Sequence, residues 1–182
     1  MAAAKGNRVR IIGGRWRSRI LRFPPASQIR PTPDRVRETL FNWLGQRLDG
    51  LSCLDLFAGS GALGFEALSR GAASVVMVEK DRAVAAALRE SARLLEAQPH
   101  IVVRDAMDYL AAVAGRFDVA FVDPPYASGL AERAMRALGP RLNPGARVYA
   151  ESDKPLAAPE GWRVLREDHA GAVRYALYEP MT

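Results

Sequence analysis

The chain has 182 residues, 49% of them hydrophobic and 25% charged, the size and composition of one globular domain with a hydrophobic core. No run approaches the roughly 18 apolar residues that would span a bilayer, and arginines interrupt the apolar stretches of the N-terminus, which argues against a signal peptide. One cysteine, Cys53, lies in the apolar run LSCLDLF, where we expect a buried, unreactive thiol. With two histidines it makes no His/Cys metal cluster, so no metal is expected.

The positive charge is concentrated at the start of the chain. Residues 1–37 carry ten lysines and arginines against one acid, a net charge of +9, while the remaining residues sum to −3. A basic leader attached to a near-neutral body indicates an element that binds a polyanion such as nucleic acid. The alternative is a solvated edge strand whose charges deter aggregation. Seven cations in residues 1–22 without one acid exceed that need.

The first predicted element is a β-hairpin. The sequence RVRIIGGRWRSRILRF, residues 8–23, alternates with period two around a Gly-Gly pair. Arg15, Arg17 and Arg19 would share one face of this hairpin, with Trp16 and Ile20 on the other. The arginine face would lie on phosphates.

A helix follows in the segment RPTPDRVRETLFNWLG. Thr32 can cap it, with Pro33 at its first position. Arg35 and Arg37 lie in its first turn, where cations oppose the helix dipole, so a phosphate or a carboxylate should favour them. The predicted nucleic-acid contacts are then Arg8, Arg10, Arg15, Arg17, Arg19, Arg22, Arg35 and Arg37.

From residue 51 the chain alternates between strand-like and helical segments. The predicted strands are 51–57, 74–79, 100–105, 117–123 and 146–152. The predicted helices between them are 61–70, 81–97, 106–114 and 128–142. This order predicts an α/β fold with a doubly wound parallel sheet, and WRVLRED and AVRYALYE around HAG add an antiparallel hairpin at its C-terminal edge. We expect two parts, a basic hairpin and helix at 1–49 and the α/β domain at 50–182.

A glycine-rich turn follows the first strand of this domain. In DLFAGSGALG, Gly59, Gly61 and Gly64 form a G-x-G-x-x-G pattern, which permits a tight turn and a close approach of the backbone to a nucleoside. Alone, the pattern fits NAD as well as other adenosine cofactors.

Acids end three successive strands beside this turn. Glu79 lies 24 residues after Asp55 and suits ribose hydroxyls, and Asp105 can face an adenine amino group. Asp55 would repel a pyrophosphate but suits a cofactor whose tail carries an ammonium and a sulfonium. The residue types therefore favour S-adenosylmethionine over NAD.

The fourth strand ends in FVDPPY. The Asp123 carboxylate and the Pro124 carbonyl are two acceptors that can bind both hydrogens of a planar amine and direct its lone pair toward a methyl group. Prolines fix this loop and offer no competing donor, and Tyr126 can stack on a flat base. A proline-rich strand terminator would explain one proline but explains the four residues poorly.

These motifs resemble those of the class I S-adenosylmethionine-dependent amino-methyltransferases. DPPY with LDLFAGSGALG, and further RIIGGRWRSRILRFPP, RPTPDRVRETLFNWLG and VEKD, are similar to the bacterial 16S rRNA guanine-N2 methyltransferase family, RsmD. The resemblance implies a Rossmann-like sheet and a guanine substrate held by Asp123, Pro124, Pro125 and Tyr126. It implies S-adenosylmethionine bound by Asp55, Phe57, Gly59, Gly61, Glu79, Lys80, Asp105 and Ala106.

The resemblance also implies partners. The substrate would be 16S rRNA in the assembling or assembled 30S subunit. The lack of a spanning run and of a signal peptide predicts a cytoplasmic protein with no membrane contact, and the lack of a long apolar surface predicts a monomer. Other interpretations stay open: a DNA adenine-N6 or protein-glutamine methyltransferase, an NAD-linked oxidoreductase, or a non-catalytic RNA-binding module. The DNA enzyme usually needs a base-recognition domain, for which 182 residues leave no room.

Overall fold

A computed structural model describes residues 7–25, 27–125 and 128–181. The chain begins with strands β1 (Arg8–Arg10) and β2 (Ile20–Arg22), which pair antiparallel, and continues with helix α1 (Asp34–Trp43). Within the described ranges, no helix is long and apolar enough to cross a membrane.

The remaining strands form one sheet. They are β3 (Ser52–Asp55), β4 (Ser74–Glu79), β5 (His100–Val103), β6 (Phe117–Val122), β7 (Leu142–Ser152), β8 (Trp162–Ala170) and β9 (Val173–Pro180). Their spatial order is β5-β4-β3-β6-β7-β9-β8, parallel from β5 to β7 and antiparallel where β9 pairs with β7 and β8. The crossover helices are α2 (Ala62–Ser69), α3 (Arg82–Leu95), α4 (Ala106–Ala112) and α5 (Leu130–Leu138).

Both faces of the sheet are covered by helices. Successive residues of β3 point to opposite faces, so Cys53 packs with α1, α2 and α3, whereas Leu54 packs with α4 and α5. This two-sided burial explains why the parallel strands read as nearly continuous apolar runs. Cys53 is fully buried, as predicted, and burial raises the pKa of its thiol to about 12.

The leader is a hairpin, but not the regular one predicted around Gly13-Gly14. The paired strands have only three residues each, and Trp16 lies in a turn and is buried, whereas Ile20 is exposed and does not share its face. The reason is docking on α2: the backbone N–H of Arg15 donates to the Ser69 carbonyl, and that of Trp16 donates to Ser69 Oγ at 2.9 Å. These hydrogen bonds to α2 take the place of the cross-strand hydrogen bonds that the period-two alternation of residues 8–23 predicted.

A buried ionic cluster holds the leader against α2. Glu66, fully buried, accepts from the backbone N–H groups of Ile12 (3.0 Å) and Gly13 (2.8 Å). It also pairs with Arg37 at 3.3 Å and with Arg70 at 3.0 Å. Leader and sheet share one hydrophobic core, and the division at residue 49 stays a prediction about roles.

Candidate active site

The glycine turn lies between β3 and α2, at the carboxyl edge of the parallel strands. Gly59 (φ 53°) and Gly61 (φ 81°) adopt left-handed conformations that favour glycine. A Cβ at Gly61 would lie 2.6 Å from the Phe65 ring, and one at Gly64 would lie 2.6 Å from Met77. Side chains at these two positions would clash with Phe65 and Met77 and displace the turn, so glycine is needed for the turn to pack closely against them.

Asp55 ends β3 beneath this turn. Its Oδ2 accepts from the Gly64 backbone N–H at 2.9 Å, which ties the strand to the start of α2. The carboxyl is 2% exposed, and burial, with Glu79 nearby, raises its pKa to about 7. A cationic group placed beside it would restore its ionised form.

Glu79, at the end of β4, clamps the same turn from the neighbouring strand. One carboxylate oxygen accepts from the Gly59 N–H at 3.0 Å, and the other accepts from the Asp81 N–H at 2.9 Å. The carboxylate therefore stands at the mouth of the glycine turn in a fixed orientation, with Lys80 exposed beside it.

Asp105 follows β5 and caps α4. Its Oδ1 accepts from the N–H groups of Met107 (2.8 Å) and Asp108 (3.2 Å), and Ala106 behind it is buried. Phe57, after β3, is half-buried. The sheet order thus brings Asp55, Glu79 and Asp105 to one edge as predicted, with the glycine turn after β3 between the ends of its neighbours β4 and β6.

Asp123 enters this edge from the other side of β3. Phe121 of β6 pairs with Asp55, and the Leu56 N–H donates to the Phe121 carbonyl at 3.1 Å, so the loop after β6 starts beside the glycine turn. Pro124 is buried and Pro125 exposed. Tyr126 lies outside the described residues.

Two residues absent from the sequence prediction contact Asp123. Thr32 Oγ1 lies 3.1 Å from Asp123 Oδ2 and 3.2 Å from Glu151 Oε2, and Tyr149 donates its hydroxyl hydrogen to Glu151 Oε2 at 2.9 Å. Burial and the Glu151 charge raise the pKa of Asp123 well above its ordinary value, and the Thr32 hydrogen bond opposes that rise.

The predicted helix cap at Thr32 was therefore wrong. The helix begins at Asp34 after Pro33, and the Thr32 hydroxyl makes no capping bond because it is directed to the two carboxylates. Nothing local in the sequence signals a contact across 119 residues. Glu151 had a signal: it is an acid near the carboxyl end of the last parallel strand, the same rule that identified Asp55 and Glu79.

The prediction that Arg37 contacts nucleic acid was also wrong. Its side chain is fully buried and donates to the carbonyls of Thr32 (2.9 Å) and Arg10 (2.8 Å) and to the carboxylates of Asp34 and Glu66. Of the two partners expected for a cation in the first helical turn, a phosphate or a carboxylate, the structure shows carboxylates, those of Asp34 and Glu66. The exposed members of the predicted set are Arg8, Arg10, Arg15, Arg17, Arg19, Arg22 and Arg35.

The turn between β1 and β2, called the leader turn, carries the exposed Arg15, Arg17 and Arg19 and lies far from the carboxyl edge. Arg15 docks on Ser69 at the end of α2, and Arg19 donates to the Leu94 carbonyl near the end of α3 at 2.8 Å. Both helices begin at the carboxyl edge, so their last turns lie at the opposite edge, and α2 alone spans about 12 Å.

A groove of about 300 Å³ lies along β7, β8 and β9. Its lining carries charges of both signs, the cations Lys154 and Arg174 and the acids Glu167 and Asp168, and it also includes His169 and Tyr175. Burial raises the pKa of the Tyr175 hydroxyl, and the charge of nearby Arg35 opposes that rise. Among the described residues there is no group of three or more metal-ligating side chains.

Known proteins resemble the chain over nearly its whole length. The family model described as "Conserved hypothetical protein 95" matches residues 9–179. "Ribosomal RNA small subunit methyltransferase D" of Haemophilus influenzae is 45% identical over 97% of this chain and 95% of its own length. The protein of that name from Escherichia coli K12 is 45% identical over 94% of this chain and 89% of its own length.

Solved structures resemble it as well. The structure of yhhF from Escherichia coli has a TM-score of 0.88 and 44% identity, covering 96% of this chain and 99% of that chain. A 16S rRNA N2 methyltransferase of T. thermophilus, RsmC, in complex with AdoMet and guanosine, has a TM-score of 0.70 at 21% identity, covering 96% of this chain and 50% of that chain. This last likeness concerns the fold alone. The predicted Rossmann-like sheet, mostly parallel with antiparallel C-terminal strands, is confirmed.

Proposed function

The chain belongs to the ribosomal RNA small subunit methyltransferase D family, and on that premise we propose that it methylates the exocyclic N2 amine of a guanine in 16S rRNA, with S-adenosylmethionine as the donor. The observation that carries this proposal is the adjacency of two loops. Asp123-Pro124-Pro125 leaves β6 beside the glycine turn of β3, within one ladder of hydrogen-bonded strands.

The cofactor side of the site is formed by the strand ends. The glycine turn and the carboxylates of Asp55, Glu79 and Asp105 would hold the adenosine part, with Phe57, Lys80 and Ala106 beside them. When bound, S-adenosylmethionine would supply a methyl group on a sulfonium, so that a bond from the amine nitrogen to the methyl carbon forms as the carbon–sulfur bond breaks and a neutral thioether leaves. The ammonium of its tail suits Asp55, since a cation favours the ionised form of that buried carboxyl.

The substrate side is the Asp123 loop. The carboxylate of Asp123 and the carbonyl of Pro124 would accept the two amine hydrogens, which orients the nitrogen lone pair without competition from a proline N–H. Transfer leaves the nitrogen with one proton in excess, and the ionised Asp123 is the group that can accept it. The chain's contribution is mainly position and electrostatics.

Partners and place in the cell belong to this proposal. The substrate would be the rRNA within the assembling or assembled 30S subunit, and the enzyme would act as a cytoplasmic monomer. The exposed arginines of the leader and the groove that contains Lys154 and Arg174 would contact phosphates. Family membership disfavours the DNA-adenine, protein-glutamine, NAD-linked and non-catalytic alternatives.

Methylation with labelled cofactor tests the proposal. Naked 16S rRNA, 30S particles and duplex DNA are offered in parallel, and the products are digested to nucleosides. We expect label in N2-methylguanosine from one of the two rRNA substrates. Label in N6-methyladenine, in protein, or in no product would overturn it.

A further inference from the structure

The contact between Thr32 and Asp123 joins the leader to the site. Thr32 precedes α1 and is 4% exposed, and its hydroxyl lies within hydrogen-bond distance of Oδ2 of Asp123 and Oε2 of Glu151. It has a single hydrogen and can satisfy one carboxylate at a time. The two carboxylates converge on one hydroxyl, so burial and the negative charge of Glu151 raise the pKa of Asp123.

Arg37 in turn fixes the position of Thr32. The buried guanidinium of Arg37 donates to the Thr32 carbonyl at 2.9 Å and pairs with Glu66 of α2. A continuous path of hydrogen bonds therefore runs from Glu66, in the helix that follows the glycine turn, through Arg37 and Thr32 to Asp123. Tyr149 holds Glu151 from the other side.

We propose that Thr32 and Glu151 are positioning residues for Asp123: the Thr32 hydroxyl bonds Oδ2, Glu151 shares that hydroxyl and places a negative charge beside Asp123, and Oδ1 is left to accept the amine hydrogen. The inference rests on the proposed function, because the amine belongs to that function. Thr32 and Glu151 have opposite effects on the pKa of Asp123. The Thr32 hydroxyl stabilises the ionised carboxylate, whereas the negative charge of Glu151 destabilises it.

The groups that face Asp123 come from three elements. Glu151, supported by the Tyr149 hydroxyl, lies on β7, Asp55 ends β3, and Thr32 precedes α1. Substitution of Glu151 by Gln keeps an oxygen for the hydroxyls of Tyr149 and Thr32 but removes the charge. Substitution of Thr32 by Val keeps the shape but removes the hydroxyl.

Titration of the free protein tests the coupling without any substrate. The ¹³C carboxyl resonance of Asp123, assigned by its disappearance in Asp123→Asn, is followed against pH. We expect its pKa to fall in Glu151→Gln and to rise in Thr32→Val, with Thr32→Ser close to the unsubstituted protein. Asp118, bound by Ser52 and Asn143 at the other end of β6, is the internal control whose titration should not move.

Kinetics test the consequence. With rRNA and saturating cofactor, the acid limb of the kcat profile should move to lower pH in Glu151→Gln and to higher pH in Thr32→Val. At alkaline pH we expect Thr32→Val to lower kcat about tenfold, the size expected for removal of one hydrogen bond, with the cofactor KM unchanged and activity restored by Thr32→Ser. Thr39→Val, which removes a hydroxyl bonded to the Arg35 carbonyl on the same helix, is the matched control.

Opposite shifts are a result that general damage to the fold would not give. If the Asp123 resonance titrates alike in all variants, or if both variants keep the wild-type kcat profile, the positioning role is overturned. If Thr32→Val does not fold, Glu151→Gln decides alone by the same two readouts. Failure of the wild-type enzyme to methylate guanine would instead overturn the proposed function, and the titration would still decide the coupling.

Discussion

Buried carboxyls at the ends of adjacent strands carry both halves of the site. Asp55 and Asp123 flank the glycine turn, and burial raises the pKa of each. Each accepts a hydrogen bond, Asp55 from the Gly64 N–H and Asp123 from the Thr32 hydroxyl, but among the described residues neither is paired with a cation. Carboxyls with raised pKa values at a sheet edge point to a role with a ligand. In each case the missing partner would be supplied by a substrate: a cation beside Asp55 and an amine beside Asp123.

Substitution of Asp123 by Ala removes one of the two amine acceptors. We expect the rate of methyl transfer to fall by about 10²-fold or more, the size seen when one group that stabilises the transition state is removed. Single-turnover measurements with saturating cofactor give this rate. Cofactor affinity should be retained because the glycine turn is untouched, and near-wild-type turnover would contradict the assigned role.

Asp55→Asn should change how stability depends on pH. The folded protein keeps a proton on Asp55 up to pH about 7, whereas the unfolded chain releases it near the ordinary value of 3.8. The free energy of unfolding therefore falls as pH rises between those values, by about 1.4 kcal/mol per pKa unit.

Asn cannot ionise and still offers an oxygen to the Gly64 N–H. We expect the substituted protein without ligand to be more stable at pH 8 by a few kcal/mol, on the order of the full pKa difference, and equal at pH 4. Urea titrations at both pH values measure it. Asp153→Asn, at an exposed position, is the control, and an equal pH dependence in Asp55→Asn and wild type would contradict the assignment.

Glu79→Ala should weaken S-adenosylmethionine binding by roughly 1–3 kcal/mol, since ribose hydroxyls lose a charged acceptor. Part of that weakening would come from the turn itself, because the Gly59 and Asp81 N–H groups lose their acceptor too. Glu79→Gln removes the charge but keeps one of the two acceptor oxygens, so it retains part of the support of the turn. Calorimetry measures the affinity, and an unchanged value in Glu79→Ala would mean that the ribose is held elsewhere.

At the scale of elements, the leader differs most from its sequence pattern. Alternating arginines predicted one flat cationic face, but the segment folds into a turn that docks on the far end of α2. Arg15, Arg17 and Arg19 are exposed, and the contacts of Arg15 and Arg19 place this turn toward the edge of the sheet opposite to Asp123. Other exposed cations lie on α1 and in the groove, namely Arg35, Lys154 and Arg174.

Replacement of Arg15, Arg17 and Arg19 by serine tests whether the leader turn contacts rRNA. We expect weaker binding to 30S particles and a flatter salt dependence, by about 0.7–0.9 in log–log slope for each phosphate that the variant no longer neutralises. Cofactor affinity should not change, and circular dichroism checks the fold.

The matched comparison is Lys154→Ser with Arg174→Ser. Wild-type affinity and slope in the leader variant, with weaker binding in the groove variant, would mean that the turn is a solvated surface. Weaker binding in both would require an rRNA footprint that extends from the carboxyl edge along the length of α2.

Local pattern predicted the sheet well and the contacts between distant segments poorly. The alternation of strands and helices predicted the order of β3 to β7, and the strand-end rule brought Asp55, Glu79 and Asp105 to one edge because parallel strands share polarity. Thr32 and Arg37 were misassigned for the same reason. Each has a valid local role, as cap and as surface cation, but tertiary partners outcompete it.

At the scale of the whole molecule, the charge distribution and the fold give different boundaries. The net charge changes sign near residue 37, but the hydrophobic core does not divide there, because Val9, Ile11, Trp16 and Leu21 pack with α1, α2 and β3. The basic part is therefore a surface of the catalytic body rather than a tethered arm. Binding of rRNA to this basic surface would therefore act directly on α2.

The ionic cluster around Glu66 has a consequence for how such a protein is engineered. A truncated chain without the leader would leave Glu66 without its two backbone donors and expose the apolar surface that Trp16 and Leu21 cover. The leader grafted onto another Rossmann-like enzyme would lack the buried acid that organises its loop. The leader and the helix that follows the glycine turn therefore form one folded unit, and truncation, grafting or substitution of either acts on both.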